Sequence, residues 1–177
     1  MKKPAEIELL ITQDEITNRV NSLAQEIAKI ITPDIMIVSL LRGSFVFTAD
    51  LIRALHFAGI RPQLDFMTIA SYGNNIVSSD KIQITRDITE DVRGRDVLIV
   101  DDILESGNTL TFARNLIKER GAVTIKIAVM LEKPNKRKVD IDADFVGFTI
   151  PDKFVVGYGL DYANYYRELP FIGVIRL

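Results

Sequence analysis

The chain has 177 residues, 47% hydrophobic and 26% charged, which is enough for one domain with its own core. Its 22 basic and 24 acidic residues give a net charge of −2, which argues against a nucleic-acid-binding or membrane-surface protein. The absence of cysteine excludes disulfides and thiolate metal sites and agrees with a cytoplasmic location. No apolar run approaches the roughly 18 residues of a membrane span, and the first residues turn acidic early, so we expect no transmembrane helix and no signal peptide.

The first predicted elements are an amphipathic helix and a buried strand. Residues 12–31 predict the helix, because apolar side chains recur every three or four residues. Thr12 and Glu15 have the spacing of a capping box at its start. Residues 35–41 form a continuous apolar run, which is typical of a strand buried on both faces of a parallel sheet.

The junction after this strand combines an arginine with a glycine. Arg42 and Gly43 follow the strand, and residues 45–57 then predict a helix that Gly59 ends. A guanidinium beside an open backbone can bind a phosphate, although a surface arginine in a tight turn explains the same residues.

A polar stretch interrupts the next part of the chain. Residues 63–70 predict a strand, and an extended pattern resumes at residues 81–86. The stretch between them, residues 71–80, predicts either a lid over a site or the mobile tip of a hairpin.

Residues 97–110 read VLIVDDILESGNTL and predict a strand, a loop and the start of a helix. The strand ends at Asp101 and Asp102, whose carboxylates suit Mg²⁺ or sugar hydroxyls. The turn 105–108 can wrap its backbone amides around a phosphate at the start of the helix 109–120. An ordinary strand-to-helix junction with acids on its solvated rim is the alternative.

The rest of the chain predicts the remaining strands. Residues 123–131 predict a buried strand, and three short strands follow at residues 145–150, 154–158 and 171–175. The order of elements predicts an α/β fold with a mostly parallel twisted sheet flanked by helices. A small β-rich cap, or hood, is expected from the C-terminal segment and the N-terminus. We expect a single domain over residues 1–177, with its core at about 12–133 and the cap mainly at 134–177.

The stretch 97–110 resembles the phosphoribosyl pyrophosphate (PRPP) binding motif of the type I phosphoribosyltransferases. That motif has a hydrophobic run, two acids, two hydrophobic residues, an acid and a Ser/Thr-Gly-x-Thr turn. The resemblance implies the fold of that family, Mg²⁺ as cofactor and PRPP as a ligand. The residues that it assigns to PRPP and its 5′-phosphate are Asp101, Asp102, Glu105, Ser106, Gly107, Asn108 and Thr109.

A second set of residues is similar to the hypoxanthine-guanine branch of this family and extends over most of the chain. It comprises Leu41-Arg42-Gly43, Ser71-Tyr72, Lys133, residues 151–162 and Arg167. The resemblance implies a cis peptide bond between Leu41 and Arg42, and a lid that starts at Ser71 and Tyr72. It also implies transfer of the phosphoribosyl group of PRPP to N9 of a 6-oxopurine base, with release of pyrophosphate.

The same resemblance assigns the remaining site residues. Phe154 offers a face for a flat purine, and Lys133 offers a donor to an oxygen at position 6, where the amino group of adenine cannot accept. Carbonyl groups near Val155 and Asp161 are implied to receive the 2-amino group of guanine. Pyrophosphate is assigned to Arg42, Gly43 and Arg167, with Arg137 as a further candidate, and the Mg²⁺ ligands are Asp101, Asp102 and Asp161.

Glu105 departs from the family pattern, which usually has aspartate at this position. The resemblance implies that this carboxylate handles the purine N7 proton, so Glu105 is the candidate catalytic residue. Glutamate can perform the same acid/base chemistry, but its extra methylene changes its reach.

Other functions predict other observations. A regulatory protein that keeps this fold and binds nucleic acid needs a basic face. A transferase that prefers xanthine or a pyrimidine is the nearest alternative among enzymes. Dinucleotide binding fits poorly, because Gly157-x-Gly159 lacks a third glycine. We expect no nucleic acid or membrane partner, and the resemblance implies a homodimer or homotetramer.

Overall fold

The computed structural model describes residues 6–72 and 81–176. None of the helices in these two ranges is both long and apolar enough to cross a membrane. In chain order the elements are β1 (Glu6–Ile11), α1 (Gln13–Ala28), β2 (Met36–Leu41), α2 (Phe45–Phe57), β3 (Gln63–Tyr72), β4 (Lys81–Arg86), β5 (Asp96–Leu104), α3 (Asn108–Glu119), β6 (Thr124–Glu132), a 3-10 helix (Pro134–Lys136), β7 (Phe145–Thr149), β8 (Val155–Val156) and β9 (Ile172–Arg176).

Six strands form a central sheet in the order β4-β3-β2-β5-β6-β7. Neighbouring strands are parallel except for β3 and β4, which are antiparallel. The mostly parallel sheet predicted from the sequence is therefore confirmed. The carboxyl ends of the parallel strands meet at one edge, which is where ligands bind in sheets of this kind.

Helices cover both faces of the central sheet. In β5, Leu98 and Val100 pack with α1 and α2, whereas Val97 and Ile99 pack with α3. All four side chains are fully buried. Because successive side chains of a strand point to opposite faces, a strand between two helical layers is apolar throughout.

The helix α1 begins at the predicted capping box. The Thr12 amide donates to Glu15 Oε2 at 2.8 Å, and the Glu15 amide donates to Thr12 Oγ1 at 3.2 Å. The helix ends at Ala28, earlier than the predicted Ile31, because the chain turns before Pro33.

The strand Phe145–Thr149 lies in the central sheet, so the prediction that places it in the cap is wrong. Phe145 packs into the core beneath α1 and α2, and Val146 packs into the core beneath α3. Arg19 of α1 donates to the carbonyl oxygens of Val146 and Gly147 at 2.7 and 2.9 Å. This burial on both faces depends on distant parts of the chain, which a five-residue pattern does not reveal.

The cap is an antiparallel sheet of three strands in the order β1-β9-β8. Glu6 of the first strand lies opposite Arg176 of the last. The prediction that the cap combines the C-terminal segment with the N-terminal strand is confirmed.

The predicted lid falls between β3 and β4. Tyr72 at the end of β3 pairs with Lys81 at the start of β4. The residues between them, 73–80, lie outside the described residues, so the lid that begins at Ser71 and Tyr72 stays a prediction.

A buried carboxylate attaches β3 to the segment that precedes β5. Asp65 Oδ2 accepts from the amides of Thr89 and Glu90 at 2.6 and 3.0 Å, and Oδ1 accepts from the Phe66 amide at 2.7 Å. Burial alone would raise the pKa of Asp65, but these hydrogen bonds outweigh burial and hold the pKa below its ordinary value.

Asp65→Asn is expected to lower the free energy of unfolding at pH 7 by about 1–3 kcal/mol, because an amide offers fewer acceptor sites to the three backbone donors and the Thr89 hydroxyl, which also donates to Oδ2. A lowered pKa in the folded state stabilises the fold above the ordinary aspartate pKa of about 3.9, and this contribution is lost as the pH falls through the folded-state value. Urea unfolding at several pH values should show that the difference in the free energy of unfolding between variant and wild type shrinks below pH ~4. A difference that does not change with pH would contradict the assignment.

Candidate active site

One cleft of about 860 Å³ opens at the carboxyl edge of the central sheet. It is lined by the ends of β2, β3 and β5, by the turn before α3, and by Asp161, Asn164 and Arg167 from the cap side. Most of the predicted PRPP and pyrophosphate residues line it: Arg42, Gly43, Asp101, Asp102, Glu105, Ser106, Gly107, Thr109 and Arg167. Asn108, Lys133, Phe154 and Val155 do not belong to this lining, as far as the described residues define it.

The two adjacent carboxylates lie within β5, whereas the sequence analysis places them where the strand ends. The strand continues to Leu104, because β6 pairs with it beyond Asp101, which lies opposite Val129. Asp101 is only 8% exposed. Burial raises the pKa of Asp101 well above its ordinary value, and the neighbouring charge of Asp102 raises it further. Burial also raises the pKa of Asp102.

These carboxylates fit a divalent cation that shares its ligands with a substrate. The folded protein penalises their charged forms, and a bound cation would offset that penalty. Asp161 does not complete a preformed site, since no three acidic, histidine or cysteine side chains in the described ranges are grouped to hold a metal ion. Mg²⁺ is often bound by one or two carboxylates together with substrate phosphates, and this arrangement suits that mode.

The turn before α3 presents backbone to the cleft. Gly107 is the N-cap residue, with a φ of 84°, and as a glycine it has no side chain to cap the helix. The Ser106 hydroxyl oxygen accepts from the Asn108 amide at 3.3 Å. A Cβ atom at Gly107 would lie 2.5 Å from Ile141 Cγ2, so both the backbone angle and the packing require glycine. The amides at the start of α3 can therefore bind an anion.

The loop of Arg42 and Gly43 lies against the acidic pair. The peptide bond between Leu41 and Arg42 is cis, as the family resemblance implies. A Cβ atom at Gly43 would lie 1.5 Å from Asp102 Oδ2, and the Gly43 carbonyl oxygen lies 2.1 Å from the position of a Cβ atom at Gly159. Two glycines thus let the loop, the acidic pair and the cap approach each other closely.

Buried hydroxyl groups support this loop from below, and the sequence analysis missed them. Ser39 Oγ lies 2.7 Å from Ser44 Oγ and 2.8 Å from Thr48 Oγ1, and Ser44 Oγ donates to the Leu40 carbonyl oxygen at 2.5 Å. All three hydroxyl residues are buried. Isolated serines and threonines in an apolar pattern give no sequence signal for such a network.

On the cap side, Arg167 and Asp161 form an ion pair. Arg167 Nη2 lies 2.7 Å from Asp161 Oδ1, and Nη1 donates to the Gly159 carbonyl oxygen at 2.6 Å. Asp161 Oδ2 accepts from the Asn164 amide at 2.8 Å. Asn164 lines the cleft in a left-handed conformation, with a φ of 66°, and the sequence analysis missed it. Asparagine tolerates this conformation, which is the only signal that could have found it.

The predicted purine residues Lys133, Phe154 and Val155 lie outside the lining of the cleft. Lys133 is buried and forms an ion pair with Glu105, whose side chain is 45% exposed. Phe154 is 50% exposed and meets Tyr162 edge to face, with ring centroids 5.9 Å apart. Val155 is buried in the cap. An aromatic ring that is half exposed and a lysine-glutamate ion pair are thus both present among the residues predicted for the purine.

Arg137 does not extend into the cleft, so the structure contradicts its assignment to pyrophosphate. Its Nη1 donates to the carbonyl oxygens of Leu104 and Glu105 at 2.7 and 3.0 Å. Its Nη2 lies 3.1 Å from Glu132 Oε2. The guanidinium donates its hydrogen bonds to carbonyl groups at the strand ends and is held there, away from the cleft.

Comparisons with known proteins agree with this geometry. Residues 12–163 match the family model described as "Phosphoribosyl transferase domain". The hypoxanthine phosphoribosyltransferase of Escherichia coli K12 is 44% identical over 174 residues, which are 97% of this chain and 96% of that protein. The hypoxanthine-guanine phosphoribosyltransferase of Bacillus subtilis 168 is 45% identical over 95% of this chain and 92% of that protein.

Solved structures give the same result. A hypoxanthine phosphoribosyltransferase from Staphylococcus aureus superposes with a TM-score of 0.88 at 39% identity, over 96% of this chain and 91% of that chain. One from Trypanosoma cruzi superposes with a TM-score of 0.91 at 36% identity, over 99% and 94%. This chain therefore belongs to the phosphoribosyltransferase family and, within it, to the hypoxanthine-guanine phosphoribosyltransferases.

Proposed function

We propose that this chain transfers the 5-phosphoribosyl group from PRPP to N9 of hypoxanthine or guanine, giving IMP or GMP and pyrophosphate. One observation supports this most directly. A single cleft combines an acidic pair of which Asp101 is buried, a helix start with a glycine N-cap and an arginine-glycine loop, with a lysine-glutamate pair at its margin. Such a cleft suits a ligand with two phosphate ends, a sugar between them and a planar base alongside.

The PRPP half of the cleft works by binding and orientation. The 5′-phosphate binds at the amides of residues 106–109, far from the bond that breaks, so its binding energy supports orientation. Asp101 and Asp102 fix the ribose hydroxyls. Arg42 and Arg167, with the Gly43 backbone, stabilise the charge that develops on the departing pyrophosphate.

Mg²⁺ is the proposed cofactor, with Asp101 and Asp102 as its protein ligands and Asp161 as a candidate in its outer shell. An ion held by these carboxylates would supply positive charge to the departing pyrophosphate. Removal of metal by EDTA should therefore abolish turnover, and added Mg²⁺ should restore it.

The residues assigned to the purine, of which Glu105 and Asp161 line the cleft, select a 6-oxopurine. Phe154 provides a face for stacking, and Lys133 donates to the oxygen at position 6. Backbone carbonyl groups near Val155 and Asp161 receive a 2-amino group. Glu105 takes the proton from N7, and its ion pair with Lys133 keeps its carboxylate beside the base.

A spectrophotometric assay tests the proposal, using purified protein, PRPP, Mg²⁺ and each of hypoxanthine, guanine, xanthine and adenine. Metal-dependent nucleotide formation from hypoxanthine or guanine, with adenine inert, is the expected result. If no nucleotide forms from any of the four bases although the protein binds PRPP, the proposal is rejected. The lid, a homodimer or homotetramer and a cytoplasmic location stay predictions.

Gly43→Ala is expected to lower kcat/KM for PRPP by about a hundredfold, since its Cβ atom would lie 1.5 Å from Asp102 Oδ2 and one of the two groups must shift. Gly59→Ala is the control for kinetics, because a Cβ atom at Gly59 meets no other group within 4 Å, although the φ of 87° makes alanine costly to stability there. That variant should keep its kinetic constants. Equal kinetics for both variants would show that the contact between Gly43 and Asp102 does not matter for turnover.

A further inference from the structure

Arg137 binds the backbone of the two residues assigned to the purine, although it does not line the cleft itself. Its Nη1 group donates to the carbonyl oxygens of Leu104 at 2.7 Å, Glu105 at 3.0 Å and Lys133 at 3.3 Å. Glu105 follows the end of β5, and Lys133 follows the end of β6. One guanidinium group therefore joins the ends of two neighbouring strands at the point where the purine contacts begin.

The other nitrogens of Arg137 are engaged as well. Nε donates to the Ile141 carbonyl oxygen at 3.2 Å, and Nη2 lies 3.1 Å from Glu132 Oε2. Glu132 is oriented in turn by Thr149 Oγ1, which donates to its Oε1 at 2.7 Å. The Arg137 side chain is 17% exposed. Only a planar guanidinium can serve acceptors in several directions at once, whereas a lysine ammonium presents its donors from a single point.

The side chains of Glu105 and Lys133 meet in an ion pair, and their backbones meet at Arg137. We propose that Arg137 is a positioning residue that sets the separation of Glu105 and Lys133 and, through it, the affinity for the purine base. This inference rests on the proposed function, which assigns the base contacts to these two residues.

The phosphate turn has supports of its own. The Lys138 amide donates to the Ser106 carbonyl oxygen at 2.9 Å. Gly107 packs closely against the side chains of Val139 and Ile141. Arg137 bonds the backbone of Glu105 and Lys133 directly, whereas it reaches the support of the phosphate turn at the Ile141 carbonyl oxygen, so loss of its side chain should displace the base contacts more than the 5′-phosphate contacts. A residue that only stabilised the fold would not separate the two substrates in this way.

The test compares Arg137→Gln and Arg137→Lys with a matched control, Arg19→Gln. Arg19 also donates to two carbonyl oxygens and to a glutamate, Glu26, but those carbonyl groups belong to β7, which carries none of the residues assigned to a substrate. For each variant, KM is measured for hypoxanthine and for PRPP, together with the midpoint of thermal unfolding. We expect KM for hypoxanthine to rise at least about tenfold in both Arg137 variants, with KM for PRPP within about twofold of wild type. Arg19→Gln should lower the unfolding midpoint and leave both KM values unchanged.

An unchanged KM for hypoxanthine in Arg137→Gln, or equal rises in both KM values, would overturn the role of Arg137. If Arg137→Gln does not fold, the ratio of KM for hypoxanthine to KM for PRPP in Arg137→Lys provides the test. A wild-type protein that is inactive with every purine would reject the proposed function itself. If the wild type is active and the variants keep its ratio of KM for hypoxanthine to KM for PRPP, only the inference about Arg137 is rejected.

Discussion

Asp102→Asn is expected to lower kcat at least about a hundredfold while the protein unfolds at the same temperature as wild type or a higher one. The loss of activity follows from the proposed role of this carboxylate at the ribose hydroxyls and the metal ion. The gain in stability follows from burial, which raises the pKa of Asp102 and so penalises its charged form. Asparagine has almost the same shape and carries no charge.

The pH dependence provides a second readout for this variant. A pKa that is raised in the folded state means that stability falls as the pH rises from about 3.9 through the folded-state value. Asp102→Asn removes this decrease, so its advantage over wild type in thermal unfolding should grow with pH. Asp34, an exposed aspartate, provides the control Asp34→Asn, which should change neither property. Parallel losses of activity and stability in Asp102→Asn would contradict the assignment.

Lys133→Met is expected to raise KM for hypoxanthine by about a hundredfold with little loss of stability. Truncating the donor proposed for the 6-oxo group removes its hydrogen bond to that oxygen, and a site built around such a hydrogen bond discriminates strongly. The partner left behind, Glu105, is half exposed and can be hydrated, while a methionine side chain suits the buried position of Lys133.

Glu105→Gln should behave differently, because it leaves the buried Lys133 ammonium without an opposite charge. We expect a lower kcat and a loss of about 1–3 kcal/mol in the free energy of unfolding. Steady-state kinetics and urea unfolding of the two variants measure this asymmetry. Undiminished turnover in Glu105→Gln would remove that residue from the mechanism, and greater destabilisation by Lys133→Met would contradict the burial argument.

Local patterns predicted much of the fold. The helix Phe45–Phe57 has the predicted bounds, and the capping box at Thr12 forms as expected. Both depend on side chains within one or two turns of each other. The continuation of β5 through Asp101 and the place of Phe145–Thr149 in the central sheet depend on pairing with β6, which is a long-range interaction that periodicity does not encode.

The site divides in the same way. The turn 105–108 and the acidic pair could be predicted, because a phosphate and a cation require recognisable residues close together in sequence. The direction of the Arg137 side chain could not, since it depends on carbonyl groups at the ends of two separate strands. Asn164 also escaped prediction, because its place in the cleft depends on how the cap folds back onto the loop of Gly43.

The acidic pair lies within β5, which pairs with β6 before and after Asp101, so its backbone is held in place before any ligand binds. An aspartate on a loop would lose conformational freedom when a ligand binds, whereas the backbone of Asp101 is already ordered by its ladder with Val129. The substrate must therefore adjust to the carboxylates, and its own torsions bear most of the entropic loss. Hydrogen exchange at the amides of this strand should therefore be slow with or without ligand.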